Sequence, residues 1–269
     1  MQDMLAQYRI RKTPYYRPVG QEAELFAAAH ALRMPLVLKG PTGCGKTRFV
    51  EYMAAQLNKP LVTVACNEDT TASDLTGRFL LRGDSTEWQD GPLTLAARYG
   101  AICYLDEVVE ARPDTLVVIH PLTDDRRILP LEKRGELIHA HPDFQLIVSY
   151  NPGYQAFGKD LKPSTRQRFG AMEFHYPDEA AEVDIVAHEG EVERDIALRL
   201  VRVAAQSRKL RGREVAEGMS TRMLVHACAL IRGGIDPHAA CALAMTRPLT
   251  DDDEVRAALD GFVRAQFGA

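Results

Sequence analysis

A glycine-rich segment at residues 40–47 constrains this chain more than any other feature. It reads Gly-Pro-Thr-Gly-Cys-Gly-Lys-Thr, follows an apolar run at residues 35–38, and fits the phosphate-loop pattern G-x-x-x-x-G-K-[ST]. That pattern needs a strand before the loop and a helix after it, so it predicts an α/β fold. Its glycines let successive backbone N–H groups turn inward around a phosphate chain. The segment therefore predicts a nucleoside triphosphate site.

The loop offers three kinds of contact to a bound nucleotide. Lys46 supplies a positive charge for the β- and γ-phosphates, and the Thr47 hydroxyl is placed to ligate Mg²⁺. The helix that follows directs its positive end toward the anion. The predicted nucleotide-binding residues of the loop are Gly40, Pro41, Thr42, Gly43, Cys44, Gly45, Lys46 and Thr47.

The bulk properties argue against several other classes of protein. The net charge of −4 disfavours broad binding to nucleic acid, which needs a basic face. The five cysteines show no C-x-x-C spacing, so we expect neither a disulfide framework nor a zinc site. No apolar stretch approaches the roughly 20 residues that span a bilayer, and residues 1–11 lack a signal-peptide core. We expect a cytoplasmic protein with no membrane partner.

The order of hydrophobic patterns predicts two domains. Short apolar runs predict strands at residues 36–39, 61–66, 101–105, 145–150 and 171–176, with helical segments between most of them. That alternation is typical of a parallel sheet buried on both faces. After Pro177 only helical patterns follow. We predict an α/β nucleotide-binding domain over residues 1–180 and a small helical domain over residues 181–269.

Polar residues mark three helix starts in the second domain. Ser220 precedes a helical pattern, and Asp236 with the following proline fits an N-cap and first helical position. Thr250 and Asp253 resemble a capping box ahead of the last helix.

Two acids end the third apolar run. Asp106 is placed to hold Mg²⁺, and Glu107 can act as a general base for a water that attacks the γ-phosphate, a role typically worth about 10²–10⁴ in rate. An Asp-Glu pair at a strand end is also common as an N-cap. Its combination with the phosphate loop favours hydrolysis over phosphoryl transfer to a small acceptor.

Further polar residues complete the candidate site. Asn151 ends the fourth run and can orient the attacking water, or can be a turn residue before Pro152. Arg166 and Arg168 precede the fifth run, so they lie away from their own phosphate loop and would serve a neighbouring subunit as arginine fingers. Arg222 opens a helix of the second domain and can touch the γ-phosphate. The alternative for each arginine is a surface ion pair.

Taken in order, these residues resemble the motifs of AAA+ ATPases. In that family the phosphate loop is Walker A, Asp106 and Glu107 form Walker B, and Asn151 is sensor 1. Arg166 and Arg168 correspond to the arginine finger and Arg222 to sensor 2. The resemblance implies a five-stranded parallel sheet sandwiched by helices, followed by an all-helical lid.

Within the MoxR branch of that family, the chain is similar to the CbbQ/NirQ/NorQ group. The strings that carry the resemblance are residues 39–50, 71–75, 104–112, 149–154 and 162–169. The resemblance implies a homo-hexameric ring that binds ATP or ADP with Mg²⁺ between subunits, and a partner with a von Willebrand A domain of the CbbO or NorD type.

Two client enzymes fit that group. CbbQ members reactivate inhibited rubisco, and NirQ/NorQ members mature nitric oxide reductase in denitrifiers. Overall likeness favours the CbbQ type. A nucleotide-gated assembly scaffold with little turnover is a further alternative, while the acidic charge disfavours a DNA-remodelling motor.

Two inserted segments carry no assigned catalysis. Turn residues on both sides of residues 79–91 predict a hairpin, in which Trp88 either sits exposed at the tip and grips a partner or packs the hairpin onto the domain. Residues 126–139 resemble the hairpin before sensor 1. His120, in an apolar segment, is interpreted as a structural histidine.

Overall fold

The computed structural model describes residues 4–152, 161–212 and 215–268. The described chain forms two compact units. The first contains residues up to 14, residues 20–39 and residues 46–173, and the second contains residues 15–19, residues 40–45 and everything from residue 174 onward. The phosphate loop is thus divided, because its first six residues pack with the second unit while Lys46 and Thr47 belong to the first.

The first unit is built on a five-stranded parallel sheet with two separate hairpins. Its strands are β1 (Leu36–Lys39), β2 (Leu61–Ala65), β3 (Gly77–Arg82), β4 (Ser85–Asp90), β5 (Ile102–Asp106), β6 (Ile128–Leu131), β7 (Glu136–His139), β8 (Gln145–Tyr150) and β9 (Gly170–Glu173). Its helices are α1 (Glu22–Ala31), α2 (Lys46–Gln56), α3 (Ala72–Thr76), α4 (Pro92–Tyr99), α5 (Pro113–Val117) and α6 (Pro163–Arg166).

The central sheet has the spatial order β2–β5–β8–β1–β9, with every pairing parallel. All six residues of β8 are buried, because neighbouring strands cover its edges and both of its faces lie inside the protein. The predicted α/β class and five-stranded parallel sheet are confirmed.

The second and third predicted strands differ from β2 and β5 by one residue at their ends, and the bounds of the fifth are wrong. The fifth run was expected at residues 171–176, but β9 covers Gly170–Glu173. This edge strand pairs only with β1, in the register Leu36 with Gly170 through Lys39 with Glu173. Pairing stops where β1 ends and the phosphate loop begins, so Phe174–Tyr176 have no strand partner to extend along.

The segment around Trp88 forms a hairpin of β3 and β4 with a two-residue turn at Gly83 and Asp84. Gly83 has φ +58°, which suits a glycine in such a tight turn. Trp88 lies within β4, opposite Phe79, and packs against the core of the first unit. An exposed tryptophan at the hairpin tip is therefore the wrong alternative. The second insert also forms a hairpin, of β6 and β7.

The second unit is helical. Its helices are α7 (Glu179–Gly190), α8 (Arg194–Lys209), α9 (Thr221–Arg232), α10 (Pro237–Cys241), a π-helical turn (Ala242–Thr246) and α11 (Asp253–Phe267). Its core is formed by the apolar faces of these helices, including Leu200, Val203, Leu224 and Leu259. The helical region expected after the α/β fold is confirmed.

Two of the three helix starts agree with the sequence patterns. Ser220 is the N-cap of α9, and the Asp236 side chain accepts a hydrogen bond from the Ala239 N–H at the start of α10. The capping box at Thr250 is wrong. Asp252 is the N-cap of α11, and its carboxylate accepts from two backbone N–H groups of the first turn. Among the described residues no helix is long and apolar enough to cross a membrane.

Candidate nucleotide site

The phosphate loop connects β1 to α2, as the motif requires. Gly43 and Gly45 have φ values of +69° and +101°, a region that residues with a Cβ rarely adopt. Lys46 begins α2 and is 9% exposed. A largely buried lysine at a helix N-terminus favours an anionic ligand.

Asp106, at the end of β5, is surrounded by hydroxyl groups. Thr47 Oγ1 donates to Asp106 Oδ2 at 3.0 Å, and Tyr104 Oη donates to Asp106 Oδ1 at 2.7 Å. Ser149 Oγ on the adjacent β8 also donates to Oδ1. Three donors on one carboxylate fix its orientation.

The Tyr104 hydroxyl lies in the interior, 3.0 Å from Ser149 Oγ and 3.5 Å from Thr47 Oγ1. Burial raises the pKa of Tyr104, and the negative charge of Asp106 raises it further. Tyr104 therefore stays protonated at physiological pH and acts as a permanent donor to Asp106.

The donor set at this point fits Mg²⁺. Thr47 and Asp106 bring one hydroxyl and one carboxylate within 3.0 Å of each other, and Mg²⁺ prefers such hard oxygen ligands together with substrate phosphates and water. The described residues contain no group of three or more acidic, histidine or cysteine side chains that could hold a metal alone. The close pair of oxygens and the lack of a larger ligand group in the described chain both fit a metal that is held by two side chains together with a bound nucleotide.

Glu107 follows β5 directly and has an unusual backbone. Its φ of 52° and ψ of 45° lie in the left-handed region, which costs a non-glycine residue about 1–2 kcal/mol. The Glu107 N–H donates to Ser149 Oγ at 3.1 Å, so the same serine that binds Asp106 also stabilises this turn. The Glu107 side chain is exposed, where a water molecule can reach it.

Asn151 follows β8 and is half-buried. Because β8 lies between β5 and β1 in the sheet, its carboxyl end lies between the strand that ends in Asp106 and the strand that leads into the phosphate loop. That position suits contact with a bound phosphate or water. Gly153 and Tyr154, which belong to the same sequence string, lie outside the described residues.

Arg166 and Arg168 lie near the amino ends of the strands, away from the carboxyl ends where the other candidate residues lie. Gly170 at the start of β9 pairs with Leu36 at the start of β1, so residues just before Gly170 lie near the amino ends of the strands. Asp106 lies at the carboxyl end of β5. A strand of four residues spans about 13 Å. Within its own chain, Arg168 makes an ion pair with Asp124 at 3.4 Å, and Arg166 Nη2 donates to the Leu161 carbonyl.

The second unit holds the first part of the loop. Tyr176 Oη donates to the Thr42 carbonyl at 2.9 Å, and Glu217 Oε1 accepts from the Thr42 N–H at 3.4 Å. A Cβ added to Gly43 would lie 2.6 Å from Ser220 Cβ, so that glycine permits close packing against the start of α9. Arg222 is the second residue of α9 and is exposed. Its Cβ would lie 3.8 Å from a Cβ added to Gly43, so Arg222 begins close to the phosphate loop.

Sequence reasoning missed four residues that contact the site, namely Tyr104, Ser149, Tyr176 and Glu217. The first two were read as parts of apolar strands, although Tyr104 lies two residues before Asp106 and so shares its face of β5. Tyr176 was assigned to a strand, and Glu217 lies in a segment without a pattern.

His120 is a structural histidine in the described chain. It starts a 3₁₀ turn, and its Nε2 lies 2.9 Å from the Thr165 hydroxyl. Burial lowers the pKa of His120, and the nearby charge of Arg168 lowers it further, so the ring is neutral at physiological pH.

Comparison with known proteins defines the class first. A family model described as AAA domain (dynein-related subfamily) matches residues 35–169. A mutant of Thermotoga maritima RuvB superimposes with a TM-score of 0.57 at 14% identity, covering 93% of this chain and 72% of that one. A putative ATPase from Cytophaga hutchinsonii gives a TM-score of 0.51 at 14% identity, covering 92% and 90%. The fold and the loop are those of the AAA+ class.

A second family model, CbbQ/NirQ/NorQ C-terminal, matches residues 182–266. Protein CbbQ of Hydrogenophilus thermoluteolus is 62% identical over 98% of this chain and 99% of its own length. Protein NorQ of Paracoccus denitrificans is 58% identical over 95% and 94%, and the denitrification regulatory protein NirQ of Stutzerimonas stutzeri is 52% identical over 95% and 93%. The chain belongs to the CbbQ/NirQ/NorQ family of AAA+ ATPases.

Proposed function

We propose that this protein binds and hydrolyses ATP at the phosphate loop and the carboxyl ends of β5 and β8. The observation that carries the proposal is the direct hydrogen bond from Thr47 to Asp106, with Glu107 as the next residue. This hydrogen bond joins the helix after the phosphate loop to the end of β5, and it supports the proposal because its two oxygens would suit Mg²⁺ and the next carboxylate would suit a general base.

Each residue has a role in the proposed reaction. Lys46 neutralises charge on the β- and γ-phosphates, and Glu107 accepts the proton of the attacking water while Asn151 orients that water. Mg²⁺, held by Thr47 and Asp106, would neutralise charge on the phosphate oxygens. Arg222 would contact the γ-phosphate from the helical unit.

The proposed assembly is a homo-hexameric ring with shared sites. Arg166 and Arg168 lie near the amino ends of the strands, whereas Asp106 lies at the carboxyl end of β5. A role for these arginines in hydrolysis is therefore best explained by contact with a nucleotide on a neighbouring subunit. A ring of heterologous contacts provides that arrangement at every interface. An arginine supplied in this way is worth about 10³–10⁵ in rate.

The proposed client is inhibited rubisco, reactivated together with a CbbO-type partner that carries a von Willebrand A domain. The relative named CbbQ, at 62% identity over nearly the whole chain, supports this choice. Maturation of nitric oxide reductase is the second candidate, because the relative named NorQ is 58% identical over a similar length.

Hydrolysis is tested by steady-state ATPase assays of the wild type and Glu107→Gln. We predict that the variant loses about 10²–10⁴ in kcat while still binding ATP, because only the base is removed. An equal rate near zero in both proteins would instead support a nucleotide-gated scaffold.

The client is tested by adding the wild type, its cognate partner and ATP to rubisco inhibited by a tight-binding sugar phosphate. Recovery of carboxylation with ATP, and none with Glu107→Gln, is expected. If rubisco stays inhibited while the same proteins restore nitric oxide reductase activity, the second candidate is correct.

A further inference from the structure

The backbone of the phosphate loop is held at Thr42 by side chains that the nucleotide motifs do not include. The Thr42 carbonyl accepts from Tyr176 at 2.9 Å, and the Thr42 N–H donates to Glu217 at 3.4 Å. The backbone carbonyl and the backbone N–H of Thr42 are thus both bound by side chains that follow the sheet in sequence. The part of the phosphate loop that belongs to the second unit is held by side chains of that same unit.

Tyr176 is in turn connected to a buried ion pair. The Arg208 guanidinium lies 3.8 Å from the centroid of the Tyr176 ring, close enough for a cation–π contact. Arg208 also forms two hydrogen bonds with Glu182, at 2.6 and 2.7 Å, and Nε donates to the Met219 carbonyl. Glu182 is 1% exposed, so this pair has one well-defined geometry.

The ion pair reaches the helix that carries Arg222. Thr221 Oγ1 donates to Glu182 Oε1 at 2.6 Å, and Thr221 is the first residue of α9. Arg222 is the next residue. A continuous path of contacts therefore runs from Thr42 through Tyr176, Arg208 and Glu182 to the start of α9.

The Tyr176 hydroxyl, which donates to the loop at one end of this path, keeps its proton over a wide pH range. Burial raises the pKa of Tyr176 to about 12, with a further contribution from the charge of Glu217. The hydroxyl therefore keeps its proton across the whole physiological range and donates to Thr42 throughout.

We propose that Tyr176 is a positioning residue for the phosphate loop, and that the Tyr176–Arg208–Glu182–Thr221 path couples the conformation of that loop to the helix bearing Arg222. This inference rests on the proposed nucleotide site. Because the path binds the loop backbone and not a phosphate, its loss changes how well the loop is preformed for nucleotide and leaves the chemical groups in place.

The first test is Tyr176→Phe, which keeps the ring beside Arg208 and removes only the donor. Binding of a fluorescent ATP analogue with Mg²⁺ to the full-length protein is expected to weaken about threefold to tenfold, with KM for ATP rising and kcat nearly unchanged. Tyr99→Phe makes the same change at an exposed position of α4 and should bind like the wild type.

Each outcome of this test is informative. If the wild type fails to bind the analogue, the proposed nucleotide site is wrong. If the wild type binds and Tyr176→Phe binds equally well, the site stands and the positioning role is wrong. Equal melting temperatures of the two proteins without nucleotide show that a weaker affinity comes from the loop and not from global instability.

The second test is a double-mutant cycle with Thr221→Val, which removes the hydroxyl that binds Glu182. If both residues act through one path, the double variant loses less affinity than the product of the two single losses, because either change already interrupts the path. Thr221→Ser should restore binding. A double loss equal to the product would contradict the coupling.

Discussion

At the scale of single residues, the orientation of Asp106 depends on hydroxyl groups from three different elements. Thr47 comes from α2, Tyr104 from β5 itself and Ser149 from β8. Such neighbours of a metal ligand commonly affect metal affinity about tenfold to a hundredfold. Ser149 has a second contact, with the N–H of Glu107, and so links the proposed metal ligand Asp106 to the proposed base.

Tyr104→Phe tests the importance of these hydroxyls. The change removes one donor to Asp106 from a fully buried side chain and leaves the ring in place. We expect the Mg²⁺ concentration for half-maximal ATPase activity to rise roughly tenfold. A magnesium titration of the ATPase rate measures this, with Tyr99→Phe as the matched control. An unchanged titration curve would show that Tyr104 serves only the core.

The sequence predicts the acids but not their hydroxyl partners. Asp106 and Glu107 stand out because two charged residues stand together at the end of an apolar run. Ser149 reaches Asp106 only because β8 pairs with β5 in one register, Leu105 with Val148. That register is set by the whole sheet, so no local pattern in the sequence indicates the contact.

At the scale of secondary-structure elements, Arg98 joins the two hairpins of the first unit, and a longer ion pair of 3.8 Å from Arg134 to Asp90 lies beside it. Arg98 on α4 donates to Asp90 at the end of β4 at 3.0 Å and to Glu136 at the start of β7 at 2.6 Å. Asp90 also accepts from Trp88 Nε1 at 2.7 Å. The first hairpin was predicted from its turn residues and the second from a family resemblance. Their connection was not predicted, because it joins positions far apart in the sequence.

Arg98→Met tests this connection, because it keeps most of the apolar stem and removes the charge. Trp88 is the single tryptophan of the chain, so its fluorescence reports on the β3–β4 hairpin. We expect its emission to shift to longer wavelength in the variant as the hairpin loosens. Arg82→Met removes an exposed pair with Glu87 in the same hairpin and should leave the emission unchanged.

Acidification gives an independent check of the same connection. Hydrogen bonding from Arg98 lowers the pKa of Glu136 from 4.5. The folded state thus favours the charged carboxylate, and its stabilising effect is complete above pH 4.5 and is lost as the pH falls through the lowered pKa. Below pH 4.5 the Trp88 emission of the wild type should approach that of Arg98→Met. Emission spectra that stay apart would contradict the assignment.

At the scale of the whole molecule, the proposed ring divides the hydrolytic machinery between neighbouring subunits. Within one chain, Arg168 pairs with Asp124 near the amino ends of the strands, whereas Asp106 lies at a carboxyl end. The sequence order of the motifs suggested this separation, and the parallel register of β9 with β1 gives it a geometric reason. The arrangement of subunits follows from contacts that a single chain does not contain, so it stays a proposal.

Subunit mixing tests that proposal most directly. Lys46→Ala removes the loop lysine and keeps the arginines, whereas Arg168→Ala does the reverse, and each variant alone should be nearly inactive. In rings mixed in equal amounts, about a quarter of the interfaces combine an intact loop with an intact arginine, so ATPase activity should return to a similar fraction of the wild-type rate. Rings shown by native mass spectrometry to contain both variants, yet no more active than either alone, would contradict the account.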